Sequence, residues 1–69
     1  MFINKELLED LEKKIGHDCK VSVGVDGGAV TFMANVDDNM YMQSADRRLP
    51  LDFESFKLHF ILNAVDTFS

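Results

Sequence analysis

Three side chains in this sequence could act together as a nucleophile and its base: Cys19, His17 two residues before it, and His59 far along the chain. An imidazole beside a thiol lowers its pKa and makes the reactive thiolate. The setting of Cys19 points elsewhere. It opens the stretch CKVSVGV on the side shared by Val21, Val23 and Val25, where a thiol packs as a small apolar group. His59 falls among the polar residues of the last helical stretch and is expected in water. His17, Cys19 and His59 are also too few for a closed structural zinc site. Asp37-Asp38-Asn39 lacks the spaced ligands, central glycine and closing glutamate of a calcium loop. Gly24, Gly27 and Gly28 precede neither a helix nor a Gly-Lys-Ser/Thr, so hairpin chemistry outweighs phosphate binding. No carboxylate pair stands in an evident apolar pocket, and no serine occupies a nucleophile elbow. The chain is therefore read as non-enzymatic, with no catalytic residue, cofactor or metal. Arg47-Arg48 could grip a carboxylate or phosphate, but reads more simply as a solubilising loop pair. Met33, Met40 and Met42 gather around the second turn and third strand, where methionine can serve an adaptable surface but more often fills a core.

The elements that would position these groups follow from periodicity. Asn4 is an N-cap, with Ile3 and Leu8 placed as a hydrophobic staple. Leu7, Leu8, Leu11 and Ile15 then share one face, and Gly16 suits the C-terminal stop, so a helix is expected from about Lys5 to Ile15. Glu9–Lys13 and Asp10–Lys14 are its i,i+4 pairs. CKVSVGV alternates as a half-buried strand, and Asp26-Gly27-Gly28 is the turn after it. AVTFMANV resumes the alternation with Val30, Phe32, Ala34 and Val36 on one side. Asp37-Asp38-Asn39 is the second turn, and MYMQS a shorter third strand with Met40 and Met42 opposite to Tyr41. SADRRLP reads as loop, and Pro50 and Asp52 lead into a second helix over about Phe53 to Thr67. The fold class is α+β, order αβββα: a three-stranded antiparallel meander with two helices packed on one face, in one domain over 1–69. The expected core is Leu8, Leu11, Val21, Val23, Val25, Val30, Phe32, Val36, Phe56 and Phe60.

The last helix carries more apolar surface than one small sheet requires. Leu51 to Phe68 contains ten apolar residues, four of them phenylalanine. At 100° per residue, Phe53, Phe56, Phe60 and Ala64 form one side, and Leu58, Ile61, Leu62 and Val65 another, with Phe68 between. A polar arc of Asp52, Ser55, His59, Asn63 and Asp66 completes the circumference. The second apolar side either meets the first helix or binds another chain. In a domain of 69 residues, too small to bury much surface, the expectation is a two-fold homodimer or partner interface at Leu58, Ile61, Leu62, Val65 and Phe68.

The αβββα order resembles that of the double-stranded RNA-binding domain over nearly the whole chain. The resemblance implies an architecture only. That family meets phosphates through lysines at the start of its second helix. Here the same place reads Leu51-Asp52-Phe53-Glu54, with two acids, so no functional residue of the family carries over.

Composition settles what kind of partner is expected. Twelve acids against seven bases give a net charge of −5, which disfavours direct contact with a nucleic-acid backbone. A protein with a basic surface is the easier partner, met by Glu6, Glu9, Asp10, Asp37 and Asp38, with Glu12 and Asp46 also expected in water. MFINKELLED has no basic region followed by an apolar core, and no apolar run spans a membrane, so no signal peptide and no membrane partner are expected. The single cysteine suits a reducing, cytoplasmic setting. The expected function is a small acidic protein-binding module, an inhibitor of the phage or mobile-element type that occupies a host or co-encoded protein, with weak nucleic-acid mimicry as its extreme form. The alternatives are a structural or chaperone-like accessory dimer, and a ligand-binding or hydrolytic domain with an unrecognised site.

Overall fold

The computed structural model describes residues 3–46 and 52–69, and Arg47, Arg48, Pro50 and Leu51 lie outside the described residues. Helix α1 spans Lys5–Ile15, strands β1, β2 and β3 span Lys20–Asp26, Ala29–Val36 and Asn39–Asp46, and helix α2 spans Phe53–Phe68. The strands form an antiparallel sheet in the order β1-β2-β3. This is the αβββα meander expected from the periodicities.

Local chemistry sets the helix limits. The Asn4 side chain accepts the Leu7 amide at 2.8 Å, and Gly16, at φ 76°, turns the chain out of α1. At α2 the Asp52 carboxylate accepts the Ser55 amide at 3.2 Å and the Ser55 hydroxyl at 2.9 Å. These bonds, the hydroxyl's first, hold the Asp52 carboxyl below the usual carboxylate range. Both hairpins close on two residues, since Asp26 pairs with Ala29 and Val36 with Asn39. Their first turn residues, Gly27 and Asp37, have φ of 56° and 51°. Asp26 and Asn39 therefore belong to strands, and β3 continues past Ser44 through Ala45 and Asp46, which the sequence pattern had assigned to loop. The ladder to β2 explains the extra length: Ala29 pairs with Asp46 and Val30 with Ala45.

The register puts Val21, Val23, Val30, Phe32, Ala34, Tyr41 and Ala45 on the face that meets the helices. Phe32, fully buried, is the hub. Its ring lies edge-on to Phe56 at 5.2 Å and to Phe60 at 5.6 Å, geometries that favour aromatic pairs beyond their area. Leu11, Ile15, Cys19, Val21, Val30, Ala34, Phe56, Phe60 and Ala64 complete the buried cluster. Val23, Val36 and Leu8 pack against it half-buried. Val25 departs from the expected core, being 56% exposed. It sits at the hairpin end of an edge strand, past the residues that the helices cover.

α2 is fixed to β3 by a polar seam as well as by grease. The Tyr41 hydroxyl donates to Gln43 Oε1 at 2.7 Å and accepts from Asn63 Nδ2 at 3.2 Å. Gln43 Nε2 donates to the Phe56 carbonyl at 3.0 Å. Asn63 and the polar arc around it thus lie on the β3 side of the helix. Among the described residues, no helix is long and apolar enough to cross a membrane.

Candidate functional site

The outer surface of α2 separates the expected interface residues into two groups. Phe53, Phe56, Phe60 and Ala64, which the helical angles group on one side without saying which side meets the sheet, face inward. On the second side, Ile61 and Val65 are half-buried against the core, and Phe68 packs likewise with its ring 6.5 Å from that of His17. Leu58 and Leu62 stand out into solvent, 55% and 57% exposed. The surplus apolar face is therefore shared: part of it closes against α1, and two leucines one turn apart remain outside.

Spacing gives these leucines flanks that the sequence reading passed over. Glu54, Leu58, Leu62 and Asp66 recur at i,i+4 and form one ridge, with an acid at each end. Glu54, Asp52 and Asp66 are exposed. The nearby cation, Lys57, is largely withdrawn: its side chain is 22% exposed, its ammonium lies 3.0 Å from Glu54, and it sits 5.3 Å above the Phe53 ring. The outer face of α2 is thus two leucines between the acid Asp66 and Glu54, whose charge Lys57 matches. Beside it runs a groove of about 310 Å³ between the helices, lined by Asp10, Leu11, Lys14, Glu54, Lys57, Leu58 and Ile61.

The expected acidic set is not one patch. Glu6, Glu9 and Asp10 share a hollow on α1 with Lys13. Glu9 pairs with Lys5 at 3.9 Å, instead of Lys13, and Asp10 pairs with Lys14 at 2.9 Å. Two of those three carboxylates are therefore paired locally. Asp37 and Asp38 are exposed on the β2–β3 hairpin, a separate element. Glu12 and Asp46 are half-buried, where water was expected. The Glu12 carboxylate accepts the outward amide of Val21 at 2.9 Å, a tertiary contact that no local pattern signals.

The three side chains capable of nucleophilic chemistry do not share a setting. Cys19 is buried at 4% exposure, and burial pushes its thiol pKa up, against a lowering bond from the Asn35 backbone; the Glu12 carboxylate adds to the rise. His17 and His59 are both exposed, His59 on the polar arc. Among the described residues, no three His, Cys, Asp or Glu side chains gather as metal ligands would. The methionines lie on the open face of the sheet: Met33 pairs with Met42, and Met40 and Met42 are 53% and 56% exposed. They fill no core. Gly24 lies beneath Met33, whose terminal methyl is 3.9 Å from where a Cβ would stand.

Comparison with protein-family models, with curated proteins and with solved structures finds no match. Asp52 and Glu54 are both exposed at the start of α2.

Proposed function

We propose that this chain is a small, non-enzymatic protein-binding module that docks the outer ridge of α2 onto another protein. The observation that carries the reading is the pair Leu58 and Leu62, more than half exposed and framed by Glu54 and Asp66. Its partner has an apolar pocket for the two leucines and a basic rim for the acids. Interfaces concentrate their energy in a few such apolar anchors, while rim charges mainly steer encounter. Occupation of a partner's surface by so compact an acidic body fits inhibitors of the phage or mobile-element type. The buried single thiol of Cys19 suits a cytoplasmic setting.

The test is a quantitative pull-down from cells of the source organism with wild type and with Leu58→Gln/Leu62→Gln. A partner captured by wild type is lost from the double variant, and its association slows as salt rises, because screening shortens to about 8 Å at physiological ionic strength. Equal capture by a folded double variant contradicts the reading.

A further inference from the structure

The two edges of the sheet are built differently. Residues flanking a two-residue hairpin form a hydrogen-bonded pair, and the ladder alternates from there. On β1 this turns the amides of Val21, Val23 and Val25 outward, and Glu12 takes the Val21 amide. Lys20 and Asp26 place exposed charges at the two ends of that strand, and each edge strand has a helix packed against it, α1 on β1 and α2 on β3. A carboxylate seated on an outward amide blunts an edge against further pairing. On β3 the same alternation turns the amides and carbonyls of Met40, Met42 and Ser44 outward, and no described residue bonds them. β3 also ends on a charge, Asp46, but from Met40 to Ala45 the strand has no charge, no proline and no glycine. Two half-exposed methionines stand along it, backed by Met33.

We propose that β3 is a self-association edge: two copies of the chain pair β3 to β3, antiparallel about a two-fold axis at Met42, to make one continuous six-stranded sheet. An open ladder is satisfied by another strand, and this strand complements itself. About Met42, the three outward residues give three hydrogen-bonded pairs: Met40 with Ser44 of the second copy, Met42 with its own mate, and Ser44 with Met40. On the open face, Met33 and Met42 of each copy line up into one row across the axis. On the other face, Tyr41 falls opposite Gln43, the two side chains that already bond within one chain. The helices permit the pairing. Asn63, bonded to Tyr41, marks the side of α2 that overhangs β3, so the two polar arcs at His59 and Asn63 meet across the axis. At 100° per residue Leu62 and Leu58 lie 100° and 140° around the helix from Asn63, so the pairing leaves both leucines uncovered. The inference is thus independent of the partner reading for α2.

Light scattering over a rising concentration series tests it, with circular dichroism on every variant. Wild type passes from 7.8 kDa to twice that mass. Met42→Lys sets two like charges face to face on the axis and returns the chain to monomer with its melt unchanged. Met42→Pro deletes an outward amide that no internal ladder bond uses, and has the same effect. Leu58→Gln/Leu62→Gln stays dimeric. A mass of 7.8 kDa at every concentration overturns the proposal. So does a dimer that survives Met42→Lys, or one that only the Leu58/Leu62 substitutions dissolve.

Discussion

Replacing both exposed leucines of α2 by glutamine asks whether the ridge is surface or core. Full burial of a leucine is worth about 1.5–3 kcal/mol. Leu58 and Leu62 are 55% and 57% exposed, so less than half of that is at stake in each. Glutamine keeps the helix propensity close to that of leucine and adds no charge to the Glu54–Asp66 frame. The expected cost is about 1 kcal/mol per site and at most about 2 kcal/mol for the pair, since neighbours one turn apart share part of the loss. A chain of this length has a stability of about 3–10 kcal/mol, at 0.05–0.15 kcal/mol per residue. The double variant therefore still folds. Its thermal midpoint falls by at most about 8–16 °C, at 4–8 °C per kcal/mol for a domain this small. Melts followed by far-ultraviolet circular dichroism, with urea titrations beside them, measure both quantities. Loss of the cooperative transition would refute the reasoning, because only core leucines, leaving two buried amides unpaired, cost enough to unfold the chain.

Four further outcomes follow from the same geometry. Phe32→Ala removes the ring that Phe56 and Phe60 pack against and costs about 3–5 kcal/mol, which leaves the chain largely unfolded in mild urea, whereas a near-native urea midpoint would contradict its place as hub. Tyr41→Phe deletes the hydroxyl that joins Gln43 and Asn63 and costs about 1 kcal/mol, and a double-mutant cycle with Gln43→Ala shows coupling between the two; strict additivity would mean the seam carries no energy. The Asp52 carboxyl is held below its ordinary value by Ser55, so its contribution is present above the unfolded pKa of about 4 and is lost as pH falls through the lowered folded value; Asp52→Ala removes this acid-side loss, and an unchanged pH profile would contradict it. Cys19 reacts slowly with a thiol reagent at mildly alkaline pH until the chain unfolds, and Cys19→Ala preserves partner binding; rapid modification of the native protein, or loss of binding in a folded variant, would show a thiol in use.

The sequence was most legible where a period of 2 or 3.6 coincided with strong end signals. Asn4 and Gly16 bound α1, and paired glycines and aspartates bound the hairpins, because those residues satisfy or relax the backbone locally. β3 was read short. Ala45 and Asp46 are strand because β2 supplies partners for them, and pairing is a property of two segments. Val25 kept its period yet lost its burial, since alternation gives the face of a residue and not how far the covering helices extend. The same limit applied to α2: helical angle set Leu58, Ile61, Leu62 and Val65 together, and only the position of α1 divides them. Glu12 looked like one more solvated acid until the fold brought Val21 within 2.9 Å of it. The methionines could not be placed between core and open face until Tyr41 was seen to claim the core side of β3.

The docking ridge is tested most directly by site-specific photo-crosslinking in cells of the source organism, with a benzophenone side chain placed at position 62 and, for comparison, at position 38 on the β2–β3 hairpin. The account predicts that position 62 yields a covalent adduct with a foreign protein, heavier than a crosslinked pair of copies, and that Leu58→Gln in the same chain abolishes it. An adduct formed only from position 38, or one from position 62 that Leu58→Gln leaves intact, would contradict the claim that the leucine ridge of α2 is where this protein binds.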